Sequence, residues 1–142
     1  MGIIIAIISG ALMSIQGVFN SKVTEKTGVW TANTFVQFTA FLLCLSIWLF
    51  WERNSFTQIL EVRPRFLLLG GAFGAAITWT VIQSMEKMGP AVAVLFIVIS
   101  QIIVAYLIEV LGLFGVEKQP LSWNKVIGAL IAIGGLILFQ KK

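Results

Sequence analysis

The stretch Gly2-Ile-Ile-Ile-Ala-Ile-Ile-Ser-Gly10-Ala-Leu-Met-Ser-Ile-Gln16-Gly-Val-Phe-Asn20-Ser-Lys-Val23 decides the fold. It opens on a continuous apolar run, Ile3 to Ile8, and carries no charge until Lys22. About 20 apolar residues at a rise of ~1.5 Å cross the ~30 Å hydrocarbon core of a bilayer, so the stretch predicts a membrane-spanning helix. Its polar residues are ordered. At helical spacing Ser9, Gln16 and Asn20 share one face, and Gly10, Ser14, Gly17 and Ser21 form a small-residue stripe beside it. Amide side chains gain nothing from lipid, so this side faces protein or a wet cavity.

The rest of the chain agrees. Of its 142 residues, 58% are hydrophobic and only 11% charged, with a mean hydropathy of +0.98; a soluble domain carries about 25% charged residues. Continuous apolar runs, rather than alternation, exclude a strand-built barrel. No basic segment precedes Ile3 and no small-residue cleavage site follows the run, so the first span is read as mature structure rather than a signal peptide. The net charge of +4 does not indicate nucleic acid, because the basic residues are spread over the ends of apolar segments. Cys44, the single cysteine, lies inside an apolar segment and acts as a small core residue, and there is no histidine. No metal and no cofactor is expected, and with no histidine and no paired buried carboxylates an enzyme is the weakest functional class.

Five spans follow, at about residues 3–20, 30–51, 66–85, 91–108 and 125–139. They make an all-α membrane protein with one five-helix transmembrane domain over residues 1–142 and the termini on opposite faces. Trp30, Trp48 and Trp51 read as interfacial anchors. The long polar link from Glu52 to Arg65 suits a short helix on the membrane surface. Gly89-Pro90 marks a helix stop and a helix start, predicting an antiparallel hairpin between spans three and four. Ser122 is a candidate N-cap for the last span. Gly70, Gly74 and Thr78 form a close-packing stripe in span three, and Gly128, Ala132 and Gly135 form one in span five. No internal repeat is visible.

Orientation normally follows the excess of Lys and Arg in cytoplasmic links. Here one face collects Arg53, Arg63, Arg65, Lys118 and Lys125, and the other collects Lys22, Lys26, Lys87, Lys141 and Lys142, five on each. A balanced chain has no electrostatic reason to insert one way. The expectation is dual topology, with two inverted copies paired about an axis in the membrane plane as an antiparallel homodimer of ten helices. Five helices can barely enclose and gate a site; ten can.

The candidate site residues are neutral. Gln16 and Asn20 lie on span one, Asn33 and Gln37 one turn apart on span two, Gln83 late in span three, and Ser100 and Gln101 in span four. Two readings stand: interhelical bonds of about 0.6 to 2 kcal/mol each, or a cavity that hydrogen-bonds a polar or amphipathic solute. Span one is the best place for a site, because Gln16 and Asn20 stand beside a stripe thin enough for close approach. The packing stripes Gly10, Ser14, Gly17, Gly70, Gly74, Gly128, Ala132 and Gly135 serve helix or dimer contacts. All six glutamates lie at or beyond span ends. Glu109, one turn after Tyr106, is either an interfacial carboxylate in water or a gate or cation contact. Trp79 sits mid-span, facing core or lipid.

Two stretches carry a resemblance: Gly10-Ala-Leu-Met-Ser-Ile-Gln16-Gly-Val-Phe-Asn20, and the tail with Ser100-Gln101, Leu107-Ile-Glu109-Val-Leu-Gly112-Leu-Phe-Gly115, Pro120-Leu-Ser122 and Gly128. With its length, the chain resembles the YdcZ-type family of the drug/metabolite transporter superfamily. It departs where Gly commonly stands at Ser100 and Asp at Glu109. The resemblance implies a five-helix inner-membrane protein that occurs as dual-topology chains, opposed pairs or fused ten-helix forms. It leaves the substrate undefined. Small multidrug exporters, similar in size, rely on a glutamate buried in the first helix, where this chain offers only Ser14 and Gln16. The expected function is a secondary transporter or facilitator of a small molecule, working by alternating access in the inner (plasma) membrane. Its partners are a second copy and lipid, with no nucleic acid. The alternatives are a passive channel or a non-transporting subunit assisting another protein.

Overall fold

A glycine, not a charge, ends the first helix. In the computed structural model, which describes residues 1–141, α1 runs Gly2–Thr27, past the expected end at Asn20. Its 26 residues measure about 39 Å at 1.5 Å per residue, so its last turns reach beyond the hydrocarbon core. The charges there sustain the helix: Lys22 pairs with Glu25 one turn on at 2.6 Å, and the Thr24 and Thr27 hydroxyls donate to the carbonyls of Asn20 and Val23. Gly28 then turns the chain, with φ 84° and ψ 154°, a region that is essentially glycine-only. Helix α2 follows at once (Val29–Ile47) and continues through a π-helical turn, Trp48–Glu52.

The second polar link holds only a four-residue helix, α3 (Gln58–Glu61). It is pinned back to the end of the second span, where the Trp48 Nε1–H donates to the Asn54 carbonyl at 2.9 Å and the Trp48 and Phe56 rings meet edge to face at 4.6 Å. A 3₁₀ turn, Arg65–Leu69, leads into α4 (Gly70–Met88). Gly89, at φ 81° and ψ 158°, repeats the geometry of Gly28, and Pro90 occupies the first turn of α5 (Pro90–Leu111). The glycine stop and proline start are therefore as the sequence predicts. Helix α6 (Trp123–Gln140) closes the described chain. Ser122 stands at its N-cap position but makes no side-chain cap bond.

Five helices are thus long and apolar enough to cross a membrane: Gly2–Thr27, Val29–Glu52, Arg65–Met88, Pro90–Leu111 and Trp123–Gln140. The chain divides into two units, Met1–Lys87 and Met88–Lys142; Lys142, one of the basic residues in the charge balance, lies outside the described residues. In the first unit the buried side chains gather at the end nearest Gly28. They are Asn20 and Thr24 of α1, Ala32 and Asn33 of α2, and Ile82 and Met85 of α4. From Gly2 to Met13 every residue of α1 is exposed. In the second unit α5 and α6 are joined across their connecting loop by Tyr106, whose hydroxyl accepts from the Ser122 N–H at 2.6 Å and donates to the Ser122 carbonyl at 3.1 Å.

Candidate functional site

The intramembrane amides fall into two sorts. Asn33, 2% exposed, donates from Nδ2 to the Ala75 carbonyl of α4 at 2.9 Å. Gln37 donates from Nε2 to the Thr78 hydroxyl at 3.2 Å and to Asn33 Oδ1 at 3.4 Å. Thr78 in turn donates to its own helix, at the Gly74 carbonyl. This closed network joins α2 to α4. Beside it Trp30 of α2 and Trp79 of α4 stack, with ring centroids 6.2 Å apart and planes 17° apart. Trp30 therefore does more than anchor at the interface, and mid-span Trp79 packs on another helix.

Gln16 and Asn20 differ. Among the described residues neither side-chain amide has a hydrogen-bond partner. Both line an open groove of about 670 Å³ between α1 and α2, together with Ser9 from the same face of α1 and Thr39 of α2. The polar face read on span one therefore opens into a groove whose remaining lining is mostly apolar. In hydrocarbon an unpaired amide costs several kcal/mol on an order-of-magnitude view, so this face requires water, a solute or a second chain. Thr39 escaped the sequence reading because a lone threonine in an apolar span carries no periodic signal.

The floor of α1 is set by Gly17. A Cβ there would collide with the Met85 side chain and touch Val81 of α4, so Gly17 is the close-approach glycine of the first unit. At Gly10, Gly70, Gly74, Gly128 and Gly135 a Cβ would meet no atom within 4 Å. Among the described residues of the first unit, the Gly70–Gly74–Thr78 stripe is engaged through the Thr78 hydroxyl, which accepts from Gln37 and donates to the Gly74 carbonyl. Ser14 donates to the Gly10 carbonyl of its own helix, and Ala132 is half-buried.

Gln83 donates to Glu86 Oε2 on the same helix at 3.3 Å. In the second unit Ser100 donates to the Ile97 carbonyl, and Gln101 is exposed with no partner among the described residues. Glu109 is engaged by its own chain: its Oε2 lies 2.8 Å from Lys125 Nζ of α6, and Lys125 also stands 5.3 Å from the centre of the Tyr106 ring. The sequence reading noted Tyr106 but missed Lys125, since a partner 16 residues away across a loop leaves no periodic trace. No group of three or more metal-ligating side chains exists among the described residues.

No curated protein and no solved structure matches the chain. A family model described as "Putative inner membrane exporter, YdcZ" matches residues 1–138. With five helices fit to span a bilayer and a match over nearly its whole length, the chain is a multi-pass inner-membrane protein that belongs to the YdcZ family of the drug/metabolite transporters.

Proposed function

We propose that the chain is a small secondary transporter that exports a polar or amphipathic solute, working as an antiparallel homodimer. Two inverted copies rock about a shared axis and expose the α1 grooves to each face in turn. The observation that carries this reading is the unpaired Gln16–Asn20 face, set against the self-satisfied Asn33–Gln37 network. An amide already bonded to its neighbour helix holds the bundle together. An amide left open beside an apolar wall can bond a solute whose body lies on that wall. Gln101 and the open glycines of α1 and α4 supply faces on which a second copy can close. The absence of histidine and of deeply placed carboxylates argues against an enzyme and against a proton relay.

Proteoliposomes loaded in turn with radiolabelled amino acids, sugars and amphipathic amines test the proposal. Efflux of at least one solute class saturates. Gln16→Ala lowers that efflux about tenfold, the worth of one lost hydrogen bond of ~1.4 kcal/mol, and leaves the unfolding midpoint unchanged. Unsaturable flux makes the protein a pore. No flux of any solute, with a stable protein retained on pull-down, makes it an assisting subunit.

A further inference from the structure

The second unit carries a groove independent of the proposed solute site. It runs between α5 and α6, measures about 750 Å³, and is walled by Ile102, Ile103, Leu130 and Ile133, with Glu109 and Lys125 at its mouth. Glu109 lies in the last turn of α5 and Lys125 in the first turn of α6, so both charges sit at the level of the headgroups. From Lys125 to Ile133 is eight residues, about 12 Å along the helix, so the groove descends from a charge pair into hydrocarbon. Gly128 lines the wall, and a Cβ there meets no atom within 4 Å, so the space beside it is free to take an acyl chain or a larger side chain.

The placement of the charges is unfavourable for the helices that carry them. A carboxylate at a helix C-terminus and an ammonium at a helix N-terminus both oppose the helix dipole. The opposite assignment would have suited both helices and made the same pair. The helix ends that carry the pair are tied together by the Tyr106 bonds to Ser122 and by the Gln119 N–H donating to the Glu109 backbone carbonyl at 2.9 Å. The pair remains open to ligands, with the Lys125 and Glu109 side chains 53% and 41% exposed. Lys125 has ammonium protons to spare, and Glu109 has a second carboxylate oxygen.

We propose that this groove binds a zwitterionic glycerophospholipid with a primary ammonium. The acyl chain lies along the Ile102–Ile133 wall, the lipid phosphate accepts from Lys125, and the lipid ammonium donates to Glu109. A primary ammonium donates three hydrogen bonds, a quaternary one none, and a glycerol headgroup brings no cation. The groove therefore prefers phosphatidylethanolamine over phosphatidylcholine and phosphatidylglycerol of the same chains.

Native mass spectrometry of the purified protein, with the three lipids added in equal amounts, reads this directly. The expected result is about fivefold greater retention of phosphatidylethanolamine than of either competitor. Glu109→Gln brings the ethanolamine and choline lipids to near parity. Gly128→Leu, which fills the groove and leaves the ion pair in place, removes the retained lipid while circular dichroism confirms intact helix. Glycerophosphoethanolamine, the headgroup without chains, does not compete. Equal retention of the three lipids by the unmodified protein overturns the proposal, as does undiminished retention in folded Gly128→Leu or displacement by the chainless headgroup. The first of these needs no variant to fold. Because lipid retention is read without transport, failure here leaves the solute site of α1 untouched.

Discussion

Asn33 shows what a buried amide does when its partner is fixed. Its Nδ2 reaches the Ala75 carbonyl at 2.9 Å, and Gln37 leans on both Asn33 and Thr78. Asn33→Ala deletes one interhelical bond and one support of Gln37, so it lowers stability by about 1 kcal/mol, within the range of intramembrane bonds. Unfolding in mixed detergent–SDS micelles measures this, and transport per folded molecule stays near normal. A stable Asn33→Ala protein that has lost transport would move the solute site to α2. The sequence placed every one of these amides on a helix face, yet could not sort bonding from binding. Asn33 and Gln16 look alike in one dimension; what separates them is whether Ala75 or an open groove stands opposite, and that depends on how the helices pack.

At the scale of the elements, apolar runs reveal spans well and ends poorly. All five spans were legible because hydrocarbon thickness fixes their length. The end of α1 was not, because Lys22, Glu25 and Lys26 resemble a link while pairing along a helix. The true stop is Gly28, and its twin is Gly89, each with φ above 80° and ψ above 150°. A Cβ at Gly28 meets no neighbour, so the cost of Gly28→Ala is purely that of the backbone conformation, about 1–3 kcal/mol. The expected result is a loss of that size in the same micelle assay, with helix content retained. A neutral substitution would mean that α1 and α2 can be joined without this turn. Conversely, Gly10→Ala adds a Cβ in open space inside α1 and raises the single chain's stability by about 0.5–1 kcal/mol through helix propensity.

At the scale of the whole molecule, the basic residues divide five to five, and the faces that a single chain leaves polar need company. Both facts favour two opposed copies, and both yield to the same manipulation. Ser55→Lys with Gln58→Lys adds two cations to the exposed second link. Thr27→Lys with Gln140→Lys adds two to the opposite face, at exposed helix ends. Basic residues in short links are retained on the cytoplasmic side, so each variant inserts one way, and the two insert in opposite senses. A cysteine appended after Lys142, in a Cys44→Ser background, is labelled from both faces in the balanced chain and from one face in each biased variant. Neither variant finds an inverted copy of itself, so transport by each alone falls about tenfold or more, equivalent to a loss of at least ~1.4 kcal/mol of assembly free energy. Co-expression supplies the missing orientation and restores transport to both. Full activity of either biased variant alone would show that one orientation suffices, and the shared path between mirrored chains would have to give way to a parallel pair or a lone five-helix unit.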